Sequence, residues 1–339
     1  MNRLYLLFFL LILAASCTVY KDYPIEVYKP GAIAVPPDAE NVAIVYRNFK
    51  YKSDSLQHFY KDDYRLKRAR KDPKNLDSIL VSLCTNELAT NLKEKNTFNQ
   101  IHIFPEVFKK HTGSKLPALN FSLVNKLTES TNTDLLISLE TFSYFYSEYS
   151  STQESPKSNE VITAAVWAVY NPDTEKLIER KTMIDTIFWN GYDEQGNYQR
   201  KTKLPPRLTA LKIASQLAGE NYSKRFFATW QTVNRMYSIP PLPDFSAADE
   251  YVQKGDWDNA IMLWKRYADD KNGKMAINAR YNIALAYEMK DDIETAQKWL
   301  VAARQIAMDY KSREDLKMIL QYQKILNQRQ KEIERLNQL

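Results

Sequence analysis

The residue types that most often catalyse reactions or bind metals are scarce and widely spaced in this chain. The three histidines, His58, His102 and His111, form no HExxH pair, and the sequence contains no CxxC motif. Because zinc sites need closely spaced nitrogen and sulfur ligands, we expect no metal and no cofactor. Acidic pairs such as Asp62–Asp63 and Asp291–Asp292 stand in polar stretches typical of solvated turns. The seven glycines form no GxGxxG, Walker A or GxSxG motif, so the sequence predicts a protein that is not an enzyme.

Cys17 stands at the end of a short apolar segment near the amino terminus. Arg3 precedes an apolar run from Leu4 to Leu13, which is shorter than the ~20 residues that a membrane-spanning helix needs. A basic start, a short apolar run and small residues before a cleavage site are typical of a secretory signal. Residues 14–17, Ala-Ala-Ser-Cys, resemble a bacterial lipobox, whose cysteine is acylated. The resemblance implies a signal peptide over residues 1–16 and a lipid on Cys17. An ordinary signal peptide with a nearby cysteine is the alternative.

The residues after Cys17 indicate where the anchored protein resides. In Gram-negative lipoproteins an aspartate after the cysteine retains the protein at the inner membrane. Thr18 occupies that position here, which favours the outer membrane, with the protein facing either the periplasm or the outside. Residues 17–38 carry several prolines and no amphipathic period, so they predict a tether. Lipidation of Cys17 leaves only Cys84, which predicts no internal disulfide and a buried core cysteine.

The composition is that of a globular protein with more than one domain. The chain has 339 residues, of which 44% are apolar, enough for two cored domains on the usual domain size. The formal net charge of +6 is modest and mixed in sign along the chain, so no nucleic-acid partner is expected. We predict the α+β class, with a mixed α/β sheet domain followed by an all-α helical module.

Residues 39–238 alternate between strand-like and helix-like patterns. The order is strand, helix, strand, helix, strand, hairpin and helix, which predicts a mixed sheet with helices packed on it. Short β-branched runs such as NVAIVY from Asn41 mark buried strands, and Asn171–Asp173 marks the turn of the hairpin. The last element is predicted as one long helix from Arg207 to Met236. The Pro-rich run from Ile239 to Pro243 predicts the domain boundary.

Residues 244–310 contain two segments that align without gaps at an offset of 36. Ala248 matches Ala284, and the turn residue Gly255 matches Asp291. This pattern resembles the tetratricopeptide repeat, with its period of 34, and a plain pair of helical hairpins is the alternative. Because two repeats bury little surface alone, residues 311–339 are predicted to form a capping helix. A mobile coiled-coil tail is the competing prediction.

Two wider resemblances complete the prediction of the fold. The layout of residues 39–238 is similar to the periplasmic domain of curli-secretion lipoproteins and the amino-terminal domain of the translocation protein TolB. The mature chain resembles an uncharacterised family of Bacteroidota lipoproteins. The stretches that carry this second likeness are KPGAIAVP, NVAIVYRN, WAVYNP and ATWQTVNRMY. That family has no established activity, so the resemblance implies an envelope protein without implying a reaction.

The sequence therefore predicts a membrane-anchored, non-enzymatic module of the cell envelope that binds a protein or peptide or acts as a scaffold. In repeats of this type the inner face of each first helix contacts the partner. The residues predicted on that face are Phe245, Asp249, Val252, Tyr281, Leu285 and Glu288. The competing prediction is that these side chains pack against the α/β domain. A glycan-binding surface lipoprotein and a secretion-associated subunit are the alternative functions.

Two further stretches have residue types suited to binding. The run KDDYRLKRARKDPK, residues 61–74, is the densest basic segment. It predicts a solvated loop, with a surface for anionic lipid headgroups or an acidic partner as the alternative. The aromatic run Phe142–Tyr149 alternates as a strand does, which predicts sheet core, while stacking on a sugar is the alternative.

Overall fold

The protein forms two compact units in the computed structural model. The structure describes residues 18–52, 59–105, 108, 111–149, 158–197 and 203–337. One unit is Gly31–Ala228, called here the α/β unit. The other joins Thr229–Leu339 with Met1–Pro30 and is called the helical unit. Cys17 and the predicted signal peptide lie outside the described residues.

The described elements are eleven strands and eight helices. The strands are β1 Val19–Lys29, β2 Asn41–Tyr46, β3 Phe49–Tyr51, β4 Phe59–Asp62, β5 Arg65–Arg68, β6 Gln100–Ile103, β7 His111–Gly113, β8 Leu135–Tyr149, β9 Ser158–Asn171, β10 Lys176–Asn190 and β11 Thr229–Ile239. The helices are α1 Leu76–Glu94, α2 Phe121–Thr131, α3 Arg207–Ser223, α4 Pro243–Gln253, α5 Trp257–Lys265, α6 Gly273–Met289, α7 Ile293–Asp309 and α8 Arg313–Leu336. The predicted α+β class is confirmed, and α4–α8 make the carboxy-terminal part helical.

The α/β unit contains a mixed seven-stranded sheet. Five of its strands follow the order β10-β9-β8-β2-β6, and the other two, β4 and β5, lie off this path. Strand β2 is parallel to both β6 and β8, whereas β8, β9 and β10 form an antiparallel meander. The predicted hairpin of β9 and β10 is thus confirmed. The short β4–β5 hairpin joins the sheet because β4 runs parallel to the end of β8, where Tyr60 is opposite Tyr146. Strand β2 is buried over most of its length, as the run NVAIVY predicts for a central strand.

Helices α1 and α3 pack together on one face of this sheet. The Trp167 ring of β9 stacks on the Tyr222 ring of α3, with centroids 4.5 Å apart. Gly219 lets the two helices approach closely, because a Cβ there would lie 2.0 Å from the Cys84 carbonyl oxygen. Cys84 is fully buried, as predicted, and burial followed by the charge of Asp185 raises the pKa of its thiol. Such a thiol is a packing group.

Helix α2 lies on the other face of the sheet. It packs on a smaller apolar cluster that includes Ala43, Val124 and Tyr170. Glu140 is fully buried nearby, and its carboxylate accepts hydrogen bonds from Arg47 at 2.6 Å and from the Tyr170 hydroxyl at 3.0 Å. Burial of a carboxylate is costly unless it is paired and hydrogen-bonded, and these partners meet that requirement.

The predicted helix from Arg207 to Met236 is wrong in its second half. The helix ends at Ser223, and Thr229–Ile239 is β11. Residues Val233, Arg235 and Tyr237 face inward in alternation, which is the period of a strand rather than a helix. The segment is stabilised as a strand because it has a pairing partner elsewhere in the chain.

That partner is β1, and it corrects the prediction of a tether over residues 17–38. Strands β1 and β11 are antiparallel over eleven residues, from Val19 opposite Ile239 to Lys29 opposite Thr229. Ile25 and Val27 are buried, whereas Pro24 is exposed. Proline is tolerated in a ribbon of two strands, since each strand keeps an open edge. We call this pair the β1–β11 ribbon.

The helices of the helical unit repeat their turn geometry. Gly255 and Asp291 have φ values of +71° and +58°, and both occupy the turn between two helices. The next residues, Asp256 and Asp292, cap α5 and α7 by accepting hydrogen bonds from the backbone N–H three residues later. These local signals explain why the offset of 36 was visible in the sequence. Helix α8 packs on α7 through a face with Ile319, Tyr322 and Leu326. Among the described residues no helix is both long and apolar enough to cross a membrane.

Gly219→Ala tests the close contact between α1 and α3. The new methyl group would meet the Cys84 carbonyl at 2.0 Å, so the helices must separate. We expect the free energy of unfolding to fall by about 1–3 kcal/mol, measured by urea denaturation. Gln216→Ala, at an exposed position of the same helix, is the control and should unfold as the wild type does. An unchanged midpoint for Gly219→Ala would contradict the close contact.

Candidate functional site

The residues predicted to bind a partner lie inside the helical unit. Five of them are at most 5% exposed: Phe245, Val252, Tyr281, Leu285 and Glu288. The sixth, Asp249, has a side chain that is 21% exposed. The predicted face is therefore not an open contact surface in this structure, which corrects that prediction.

The β1–β11 ribbon covers this face. Strand β11 packs on α6 and α4, and Asn282 of α6 pairs with the backbone of Ser238. Its amide oxygen accepts from the Ser238 N–H at 2.9 Å, and its amide nitrogen donates to the Ser238 carbonyl at 2.8 Å. The Asn282 side chain thus makes the two hydrogen bonds to the Ser238 backbone that a neighbouring strand would otherwise make. The competing prediction is that the side chains of this face pack against the α/β domain. In the structure they are covered by the β1–β11 ribbon, whose two strands precede and follow the α/β unit in the sequence.

A buried ion pair holds β11 to the helices. The guanidinium of Arg235 donates to both oxygens of Glu288, at 2.7 and 2.9 Å. The Tyr322 hydroxyl of α8 also donates to Glu288, at 2.5 Å. Burial and the neighbouring Glu288 carboxylate raise the pKa of the Tyr322 phenol well above its ordinary value. Glu288 therefore has a structural role that joins three elements, rather than the predicted role in recognition.

Asp249 is also held by groups of its own unit. It accepts hydrogen bonds from Lys21 of β1 at 2.8 Å and from the Tyr237 hydroxyl of β11. Burial alone would raise the pKa of this carboxyl, but the hydrogen bonds from Lys21 and Tyr237 outweigh it and leave the pKa below its ordinary value. Asp249 thus fastens both strands of the ribbon to α4.

The α/β unit contains a groove of about 850 Å³ at the end of the sheet where β8 finishes. Three separate parts of the chain form it: the β4–β5 hairpin with the loop that follows, the facing ends of β8 and β9, and the loop before α3. Its lining residues are Tyr60, Arg68–Asp72, Tyr146, Glu148, Asn159 and Leu204–Leu208. We call it the basic groove.

Four cationic side chains line the basic groove. Arg68, Arg70 and Lys71 come from the basic run and are exposed, while Arg207 is the first residue of α3 and is largely buried. The predicted solvated loop is thus partly a hairpin, because residues 65–68 form β5. Against these four cations stand the carboxylates of Asp72 and Glu148, so the groove carries a positive excess.

Arg207 is held in place but is not fully satisfied. One of its terminal nitrogens is paired with Asp72, and its guanidinium lies 5.8 Å from the centre of the Tyr60 ring. Its other two nitrogens, Nε and Nη2, are buried without a hydrogen-bond partner among the described residues. Unpaired buried donors cost free energy and are uncommon in proteins, so they mark Arg207 as a residue of interest.

Asn159, at the start of β9, is the second such residue. It is 4% exposed, and its amide nitrogen donates to the Pro205 carbonyl at 3.0 Å. That bond fixes the orientation of the amide, and its oxygen Oδ1 is left without a partner among the described residues. Asp72, also in the lining, has a second buried acceptor without a partner among the described residues, its Oδ2 atom. The basic groove therefore has both unpaired acceptors and unpaired donors in its lining.

Two helices begin beside the basic groove. The ion pair of Asp72 with Arg207 joins the segments that lead into α1 and α3, and the Tyr144 hydroxyl of β8 donates to Asp77 in the first turn of α1 at 2.8 Å. Neither Asn75 nor Pro206 provides a side-chain cap to the helix that follows. Helix amino termini carry partial positive charge and free N–H groups, which adds to the positive character of this end.

The aromatic run of β8 is mainly core, as predicted. Phe142 and Tyr144 are buried at 1% and 5% exposure. Tyr146 is also buried but lines the basic groove, and its ring lies 6.3 Å from the Tyr60 ring. The described residues contain no group of histidine, cysteine and acidic side chains that could hold a metal. His58 lies outside them.

Two families of unknown function match successive parts of the chain. The family described as "Domain of unknown function (DUF8603)" matches residues 39–238, and "Domain of unknown function (DUF6340)" matches residues 246–328. No curated protein matches the sequence of this chain.

The solved structures that share low similarity with the chain include the following three. The PelC dodecamer from Paraburkholderia phytofirmans is 8% identical, with 60% of this chain and 98% of that chain covered and a TM-score of 0.26. The hypothetical protein CT253 from Chlamydia trachomatis is 11% identical, with 56% and 98% covered and a TM-score of 0.28. Protein XCC0632 from Xanthomonas campestris is 7% identical, with 58% and 91% covered and a TM-score of 0.27.

Removing one partner of the Arg235–Glu288 pair should be more harmful than removing both. Arg235→Met leaves a buried carboxylate without its cation, which we expect to cost about 3–5 kcal/mol of unfolding free energy. Arg235→Met with Glu288→Leu removes both charges and should recover part of that loss. Urea denaturation followed by circular dichroism measures both. A double variant as unstable as the single variant would show that the loss does not come from leaving Glu288 buried without its cation.

Proposed function

We propose that this chain, which belongs to the DUF8603 family of unknown function, is a lipid-anchored, non-enzymatic binding protein of the cell envelope. The observation that carries the proposal is the basic groove, whose lining combines buried polar atoms without hydrogen-bond partners among the described residues with four cationic side chains. Polar groups of this kind in a concave site are typical of binding sites. The basic groove, rather than the inner face of the helices, is then the contact site.

The proposed anchor rests on the lipobox-like residues 14–17 and on the favourable Thr18 for the outer membrane. Strand β1 begins at Val19, two residues after Cys17, and two extended residues reach only about 7 Å. A lipid on Cys17 would therefore hold the β1–β11 ribbon close to the membrane surface, without the long tether that the sequence predicted.

The helical unit is proposed to act as a scaffold. Its likeness to tetratricopeptide repeats is supported by the repeated turns at Gly255 and Asp291. The face that such repeats use for peptides is filled here by β11, so a peptide could enter only by displacing the chain's own strand. We therefore propose a structural role for the helices and ligand contact by the α/β unit.

Cys17→Ser tests the anchor. Because the acyl group needs the thiol of Cys17, we expect the variant to lose metabolic labelling with an alkyne analogue of palmitate and to leave the membrane fraction. Cys84→Ala removes the other cysteine and should remain labelled. Labelling of the Cys17→Ser variant, or an unlabelled wild type, would contradict a lipid on Cys17.

Charge reversal tests the basic groove as the contact site. Arg70→Glu with Lys71→Glu changes two exposed residues of the groove. We expect in-cell crosslinking and affinity capture to lose the species captured by the wild type. Lys181→Glu with Lys212→Glu makes the same change of charge at exposed positions of the same unit outside the groove, and capture should persist. Equal capture by both double variants would contradict a contact role for the groove.

A further inference from the structure

We propose that the basic groove binds a phosphate group carried on a hydroxylated carbon skeleton, such as a polyol phosphate. This inference rests on the proposed function in one respect, namely that the groove is the ligand site. The chemistry is shared by two sources, the headgroup of an anionic glycerophospholipid and a free sugar or glycerol phosphate.

The free edge of Arg207 selects a planar pair of oxygens. Its Nε and Nη2 atoms, which lack partners among the described residues, form one side of the guanidinium fork. That fork donates two parallel hydrogen bonds to two oxygens of a phosphate or a carboxylate. Asp72 holds the remaining terminal nitrogen and the Tyr60 ring lies against the guanidinium, so the fork is oriented before a ligand arrives.

The surrounding charge favours phosphate over a single carboxylate. Arg68, Arg70 and Lys71 extend the positive lining beyond Arg207, and a phosphate offers more oxygens and up to two negative charges. The amino termini of α1 and α3 lie at the same end of the unit, without side-chain caps from Asn75 or Pro206. Phosphate groups bind readily at such termini. The cations, the fork and the helix ends thus point to one ligand group.

Asn159 indicates that the ligand carries a hydrogen-bond donor next to its phosphate. Its Oδ1 atom can only accept a hydrogen bond, its orientation is fixed by the bond to the Pro205 carbonyl, and it has no partner among the described residues. A phosphate without protons cannot satisfy it, whereas a hydroxyl on the carbon skeleton can. A ligand with a hydroxyl near its phosphate therefore satisfies both kinds of unpaired group.

The test measures binding to the mature chain carrying Cys17→Ser, so that no acyl chain contributes. Calorimetry at about pH 8, where a phosphate monoester carries no proton, uses methyl phosphate, glycerol 3-phosphate and glycerol. Flotation uses phosphatidylcholine vesicles with or without phosphatidylglycerol. We expect glycerol 3-phosphate to bind more tightly than methyl phosphate, which has no hydroxyl, and glycerol not to bind. Binding only to phosphatidylglycerol vesicles would identify the lipid headgroup as the source and also support the proposal.

Two sets of variants separate recognition from folding. Arg207→Lys keeps the charge but loses the fork, and Arg70→Glu with Lys71→Glu leaves the buried residues untouched; each should weaken binding at least tenfold. Asn159→Leu should abolish the preference for glycerol 3-phosphate over methyl phosphate. Lys181→Glu with Lys212→Glu should bind as the wild type does, and circular dichroism checks that every variant is folded.

Absence of binding by all these probes, or equal weakening by the Lys181 and Lys212 control, overturns the phosphate proposal. If cellular capture still depends on Arg70 and Lys71 in that case, the groove remains a contact site for another ligand. If capture is independent of both residues, the proposed function fails as well. The two failures are therefore distinguishable.

Discussion

The pairing of a buried arginine with a buried glutamate is the interaction on which the helical unit depends. Arg235 lies on β11, Glu288 on α6 and Tyr322 on α8, so one carboxylate joins a strand to two helices. Buried charged side chains are tolerated only when they are paired with good hydrogen-bond geometry. A shift of β11 by one residue would turn Arg235 outward and leave Glu288 uncompensated. The pair therefore fixes the register of β11, and through it the register of β1, which is hydrogen-bonded to β11 along its whole length.

The parts of the fold that the sequence predicted are those specified by local patterns. NVAIVY indicates a buried strand, Asn171–Asp173 a hairpin turn, and Gly255 and Asp291 matching turns between helices. Each of these signals lies within a few residues of its effect. The β1–β11 ribbon has no such signal, because its strands are separated by about two hundred residues of another unit. Residues 229–236 come after a real helix, and their apolar residues fit the helical period as well as the strand period. Only the pairing with β1 distinguishes the two.

The basic groove, too, could be predicted only in part from local sequence patterns. Its exposed cations were visible as a charge-dense run, and an anionic lipid surface was one of the interpretations that this run allowed. Arg207 and Asn159 carried no signal, because a single arginine before a helix and a single asparagine at the start of a strand are ordinary in sequence. Their significance arises only from burial and from the hydrogen bonds that they fail to make, which depend on three distant segments meeting.

The position of β1 has a mechanical consequence for an anchored protein. With the proposed lipid on Cys17, any pull between membrane and protein enters the chain at Val19 and runs along β1. Strand β1 ends at Lys29 and the α/β unit begins at Gly31, so a load between the membrane and a ligand in the basic groove is carried by the covalent backbone of β1. The hydrogen bonds to β11 lie perpendicular to the strands and hold β1 extended at eleven paired positions without having to bear that load. The ribbon thus keeps the loaded segment straight, while the backbone itself transmits the force.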